Sequence, residues 1–307
     1  MGQDNHNHPH RVHGHARTNY GQAFAIGIAV NLIYLGGEAV AGIVSGSLAL
    51  LADAVHNLGD VLALSLSWGA AAVSRRRPSA RFTYGLRSSS ILVALANAII
   101  LLVVIGGIAW EAIRRMSDPA PVASGIVIVV AAVGILVNGG TALLFASGVH
   151  DLNLRSAFVH LAADAAVTAG VVAAGIAIWL THWLWLDPVV SLAVSAVIVF
   201  GTWGLLKSAV GLALDAVPEG VDAAAVRSHL LTVPGVTALH DLHIWGMSTT
   251  ETALTCHLVM PGGHPGDAAL AGLAEQLHQR FGIQHTTIQI ELADTGEVCA
   301  LTPEHVV

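Results

Sequence analysis

Two pairs of residues stand out for what they could hold. His56 and Asp60 are four positions apart, and so are His160 and Asp164. On a helix a step of four puts both side chains on one face, a turn apart. Each pair lies in a stretch otherwise apolar enough to cross a bilayer, where an ionisable group costs roughly 2.5–3.5 kcal/mol on insertion scales and is seldom idle. Two imidazoles and two carboxylates from two helices make a four-ligand shell suited to tetrahedral Zn²⁺. Zinc requires neutral histidine and ionised aspartate, so such a site also trades protons against its metal. Hydrogen bonding between packed helices is the other use of buried polar groups. It gives no reason for one spacing to recur in two spans.

Other residues invite the same question. Asp53, three residues before His56, reads as a carboxylate at the mouth of the path or as a partner that orients His56. Glu38 and Asn138 are further polar groups in apolar stretches and are read as structural hydrogen-bonding groups. Towards the C-terminus, His240, His257 and Glu291 fall on three different strand-like segments, with Asp241, His243 and His285 as alternatives nearby. Neighbouring strands lie about 4.8 Å apart, so facing residues there can share a regulatory cation. His6, His8, His10, His13 and His15 punctuate a polar N-terminal segment able to bind Zn²⁺ weakly. No His-Glu-x-x-His and no Gly-x-x-x-x-Gly-Lys-[Ser/Thr] occurs, which disfavours an intramembrane zinc protease and leaves no visible ATP site. Transport would then run on an ion gradient.

The elements that must position these residues follow from hydropathy. Mean hydropathy is +0.69, with 54% hydrophobic and 11% charged residues in 307, the composition of a polytopic membrane protein. Six apolar spans are expected at 21–44, 48–73, 89–112, 122–147, 155–180 and 187–207. Nine Lys/Arg flank the ends on one side and two, Arg114 and Arg115, on the other, which puts both termini in the cytoplasm. No cleaved signal peptide is read at the N-terminus.

Beyond Lys207 only Arg227 and Arg280 are basic, while eleven of the twenty acids lie there. An acidic soluble domain argues against nucleic acid and suits cations. Its pattern is helical at 222–231, alternating at 236–245 and 252–260, helical at 267–281 and alternating again at 286–292. That αββαβ order makes a small two-layer α+β domain. The expected organisation is a disordered His-rich tail (1–20), a transmembrane domain of six helices (21–210), a cytoplasmic α+β domain (216–295) and a C-terminal tail (296–307). Two cysteines, Cys256 and Cys299, without CxxC spacing exclude a disulfide framework.

Longer runs carry a resemblance. Ser45 through Asp60 (SGSLALLADAVHNLGD), Arg81-Phe82-Thr83-Tyr84-Gly85-Leu86-Arg87, Ala157-Phe158-Val159-His160 through Asp164, and Asp241-Leu242-His243-Ile244-Trp245 resemble the cation diffusion facilitator family, specifically its bacterial zinc/cadmium/cobalt efflux members. The resemblance covers residue 20 to about residue 292. It implies a homodimeric metal/proton antiporter of the cytoplasmic membrane with a metallochaperone-like cytoplasmic domain. Zn²⁺ is then the substrate, Cd²⁺ or Co²⁺ secondary substrates, and no organic cofactor is expected. It also assigns the transport site to His56, Asp60, His160 and Asp164, and implies that Arg87 pairs with Asp215. The chain departs from the family at Ser89, where an acid is common, and at Gln289, where some relatives have histidine. A membrane zinc enzyme is the rival of another class, though four protein ligands leave no open position for catalysis. A metal sensor that binds without transporting is the second rival.

Overall fold

The computed structural model describes residues 20–74, 78–145, 152–292, 299 and 301, with side chains from residue 32 onward except at 60, 63–64, 66–68, 70–74, 144–145 and 152–157. The His-rich segment and most of the C-terminal tail lie outside the described residues. Six long helices come first: α1 (Tyr20–Ser45), α2 (Leu48–Ser74), α3 (Ser89–Ser117), α4 (Ser124–Phe145), α5 (Leu152–Thr181) and α6 (Leu186–Ala213). Among the described residues, four of them carry stretches long and apolar enough to cross a membrane, within α3, α4, α5 and α6. Large apolar side chains such as Ile33, Leu136, Phe200 and Trp203 point outward, as a lipid-facing surface requires.

α3 packs along α6 and α4 along α5, while α2 runs among α1, α3 and α6 and meets α5 more sparsely. Leu50, Val55, Leu101, Ile105, Val171 and Ile198 form the buried centre. At one end of the bundle the links between helices are fastened by a single carboxylate. Asp187, in the first turn of α6 and 2% exposed, accepts hydrogen bonds from the Ser47 hydroxyl, the Leu48 amide at 2.8 Å and the Ala49 amide at 3.4 Å. It thereby caps the N-terminus of α2 from another helix, satisfying amides that an α-helix leaves open. Arg115 donates to the Gly46 carbonyl at 2.7 Å in the same place. Gly46 turns the chain there at φ 70°, a conformation natural to glycine.

The C-terminal domain consists of α7 (Ala223–Leu231), β1 (Ala238–Gly246), β2 (Thr252–Val259), α8 (Asp267–Phe281) and β3 (Ile283–Glu291). The sheet order is β1-β2-β3, with β1/β2 antiparallel and β2/β3 parallel. The parallel pair follows from α8, which carries the chain back across the sheet. Asp222 starts α7 by accepting from the Ala224 and Ala225 amides, and Gly282 at φ 66° ends α8 in a left-handed cap. Val226, Leu230, Leu254, Leu258, Leu273 and Leu277 close the core between helices and sheet. β3 begins three residues earlier than alternation indicated, because Ile283 is already buried in that core.

The domain meets the bundle at the loop between β1 and β2. Ser88 donates to the Met247 carbonyl at 3.2 Å, and the Thr249 amide donates to the Ser90 hydroxyl at 3.1 Å. Ser88 and Ser90 thus seat the loop on the start of α3.

Candidate metal centres

α2 and α5 bring the first set of ligands together. His56 Nε2 lies 2.9 Å from one oxygen of Asp164, and His160 Nε2 lies 3.6 Å from the other. The two imidazoles are 6.5 Å apart, centre to centre, at 64°. Asp164 is 4% exposed, its backbone tied to Thr168, whose hydroxyl donates to the Asp164 carbonyl at 3.0 Å. A cavity of about 350 Å³ opens onto His56, His160 and Asp164, walled also by Asn97, Gly201 and Thr202. Asp60 belongs to α2 one turn beyond His56, but its side chain lies outside the described residues. Three of the four expected ligands therefore converge on one cavity.

Asp53 is buried to 1% exposure beside Glu38 and Thr168. The orienting hydrogen bond to His56 is not made in this structure. A network beside it explains Glu38, which accepts from Tyr34 at 2.9 Å and from Asn57 at 2.8 Å. Tyr34 fits against Gly134 of α4, where a Cβ would collide with its hydroxyl. Gly134→Ala should therefore displace Tyr34 and lower stability by about 1–3 kcal/mol. Adding Tyr34→Phe should restore part of the apparent Tm of the detergent-solubilised protein. An unchanged Tm in Gly134→Ala would show that the tyrosine is not wedged there.

The second set lies on the sheet. His240 on β1 stands opposite His257 on β2, and Glu291 lies opposite Val259, two residues further along, on β3. His257 Nδ1 is 2.9 Å from Glu291, and His240 Nε2 is 3.3 Å from its other oxygen. His240 Nε2 is buried, and although Glu291 is near it makes no well-aligned hydrogen bond among the described residues. A bulge between His240 and His243, with Asp241 at φ 51°, turns Asp241 towards both His243 (2.8 Å) and His257 Nε2 (3.4 Å). Asp241 and His243, candidates from the sequence, thus buttress His257. His285 instead stacks edge-on against Tyr84.

A fourth group, Cys299, joins this cluster. One donor atom each from His240, His257, Glu291 and Cys299 lies within 4.8 Å of the others. Sequence reasoning passed over Cys299 because it sits eight residues past the last strand, where no periodicity fixes a side chain. Burial opposes ionisation of Glu291, but the Cys299 hydrogen bond and the two imidazoles outweigh it and hold the carboxyl below its usual range. Cys256 differs: burial, aided by Asp241, pushes its thiol up to about 12.

Arg87 does not pair with Asp215. Its guanidinium donates to Glu251 of the β1–β2 loop at 2.8 Å, while Asp215 occupies a turn after α6 at φ 56°. Ser88 and Ser90 hold the backbone of the same loop beside it.

Comparison with known proteins agrees with this layout. Residues 24–212 match the family model of the cation efflux transmembrane domain, and residues 218–293 that of the cation efflux protein cytoplasmic domain. The metal cation efflux system protein CzcD of Cupriavidus metallidurans is 34% identical over 285 residues, covering 91% of this chain and 90% of the relative. The zinc transporter ZitB of Escherichia coli is 35% identical over 271 residues, covering 87% of this chain and 86% of the relative. Among solved structures, the metal-bound C-terminal domain of the CzcD transporter from Cupriavidus metallidurans is 41% identical, covers 24% of this chain and 100% of that one, and has a TM-score of 0.22.

Proposed function

This chain belongs to the cation diffusion facilitator family, whose members are transporters and not enzymes, and on that premise we propose that it exports Zn²⁺ across the inner membrane in exchange for protons. The observation that carries the reading is the convergence of His56, His160 and Asp164 from two helices on one cavity. With Asp60 the donor set carries two negative charges, which balance a divalent cation in a medium that tolerates no net charge. The cycle follows from the same groups. Zn²⁺ binds the deprotonated quartet from the cytoplasmic side, the bundle rocks, and protonation of histidine and aspartate releases the ion outside. Rocking of packed helices about a fixed site is the physics of alternating access, and the sparse contact between α2 and α5 suits it. We further propose six spans with both termini cytoplasmic, a homodimer, and Cd²⁺ or Co²⁺ as secondary substrates.

Counterflow in proteoliposomes tests this reading. Zinc loaded inside should drive uptake of labelled zinc, and an imposed proton gradient should drive net zinc flux. Binding without counterflow would instead make the protein a sensor. Flux indifferent to the proton gradient would remove the antiport.

The sheet cluster is read as a regulatory Zn²⁺ site. Two acidic domains in a dimer repel one another, and bound cations reduce that repulsion. His240→Ala with His257→Ala should therefore raise the zinc concentration for half-maximal flux by about tenfold, as loss of groups around a metal commonly does, with flux at saturation retained. Complete loss at every concentration in an inserted protein would make the domain part of the ion's obligatory path.

A further inference from the structure

We propose that Cys299 supplies a thiolate to the cluster on the sheet, making it a centre of two nitrogens, one oxygen and one sulfur that favours soft divalent cations such as Cd²⁺. The inference rests on reading His240, His257 and Glu291 as a metal site and adds a ligand and a selectivity to it.

Cys299 Sγ lies 3.7 Å from His257 Nδ1, and the four donor atoms fall within 4.8 Å of one another. Donors around a tetrahedral zinc ion, bonded at about 2.0–2.3 Å, are themselves about 3.3–3.8 Å apart. A small contraction around an ion closes the shell. The two imidazoles are already preset. Asp241 faces His257 Nε2 at 3.4 Å, which favours a proton there and leaves Nδ1 for the ion. His240 Nε2 is buried in the cluster 3.3 Å from Glu291, without a well-aligned hydrogen bond. The side chain of Glu291 keeps 21% exposure, so a cation reaches the cluster from solvent.

Charge supports a thiolate over a bystander thiol. Two neutral imidazoles and one carboxylate leave a divalent ion with one positive charge. Coordination by sulfur displaces the thiol proton to solvent, forms the metal–sulfur bond and brings the centre to neutrality. Cys256 cannot substitute: successive strand residues face opposite sides, and Cys256 points into the domain core while His257 points into the cluster. Soft sulfur ranks metals differently from the nitrogen and oxygen set in the membrane. The protein would thus register cadmium at a site chemically unlike the one that moves zinc.

The test is optical, on the purified full-length protein in detergent with a thiol-free reductant. An Asp164→Ala background disables the membrane quartet as a competing binder. Co²⁺ added to this protein should give a thiolate-to-cobalt charge-transfer band in the near ultraviolet, displaced by Cd²⁺. Cys299→Ser should abolish the band and weaken Cd²⁺ binding by at least about tenfold, while Cys256→Ser retains it. Visible Co²⁺ absorption that disappears in His257→Ala, with no charge-transfer band sensitive to Cys299→Ser, would leave the histidine site standing and overturn the sulfur ligand. Absence of any Co²⁺ binding sensitive to His257→Ala would overturn the site and the proposal together.

Discussion

Asp164→Ala should reduce zinc flux to background in vesicles that contain as much inserted protein as wild type. Asp164 holds His56 with one oxygen at 2.9 Å and faces His160 with the other at 3.6 Å, so it is the side chain through which α2 and α5 meet at the site. Losing one member of a buried charged set commonly costs about 3–5 kcal/mol, and about 1.4 kcal/mol is a factor of ten in affinity. Zinc binding at the quartet should weaken by about a hundredfold or more, below what a transport cycle can use. Asp164→Asn keeps the shape and removes the charge, and should behave nearly as badly. If the asparagine variant transports normally, the carboxylate serves packing and the ligand set must be redrawn.

The second large effect belongs at the end of the bundle, two turns of helix from His56. Asp187→Ala removes the acceptor of the Ser47 hydroxyl and of the Leu48 and Ala49 amides, all buried. A buried donor left without a partner costs about 1–3 kcal/mol, and the Ser47 hydroxyl is free to rotate towards another acceptor. The expected loss of stability is on the order of 3 kcal/mol, read as a lowered denaturant midpoint or apparent Tm. Asp187→Asn, which still accepts through its amide oxygen, should recover a good part. Because His56 lies two turns into the helix that Asp187 caps, zinc affinity should also drop modestly in the alanine variant. Wild-type melting of Asp187→Ala would mean that water replaces the carboxylate at no cost.

The helices and the soluble domain were legible because their signals are periodic. Apolar runs set α3 to α6, and alternation set β1 and β2 to within two residues. The approach of His56, His160 and Asp164 to one another was legible for a related reason: a spacing of four puts two side chains on one face of a helix. His240, His257 and Glu291 could be grouped because strands have a fixed separation. What escaped depends on tertiary contact alone. Arg87 finds Glu251 across 164 residues, and nothing local in either segment announces the pairing. Asp187 resembles an ordinary acid in the first turn of its own helix, so its service to α2 is invisible until the chain folds. Cys299 lies eight residues beyond Glu291 in a stretch whose sequence has no periodicity, so its residue type hints at chemistry but gives no direction.

The seat of the β1–β2 loop on the start of α3 also bears on how the protein is made. Ser88, Ser90 and Arg87 leave the ribosome roughly 160 residues before Met247, Thr249 and Glu251. During that interval the helix bundle can insert, yet it displays at its surface a basic residue and two hydroxyls whose partners do not exist. Docking of the C-terminal domain on the start of α3 therefore waits until the β1–β2 loop has been synthesised. A nascent chain arrested after α6 carries the six long helices but lacks α7, α8 and the loop that pairs with Arg87, Ser88 and Ser90, so the start of α3 stays bare until the last third of the chain is made.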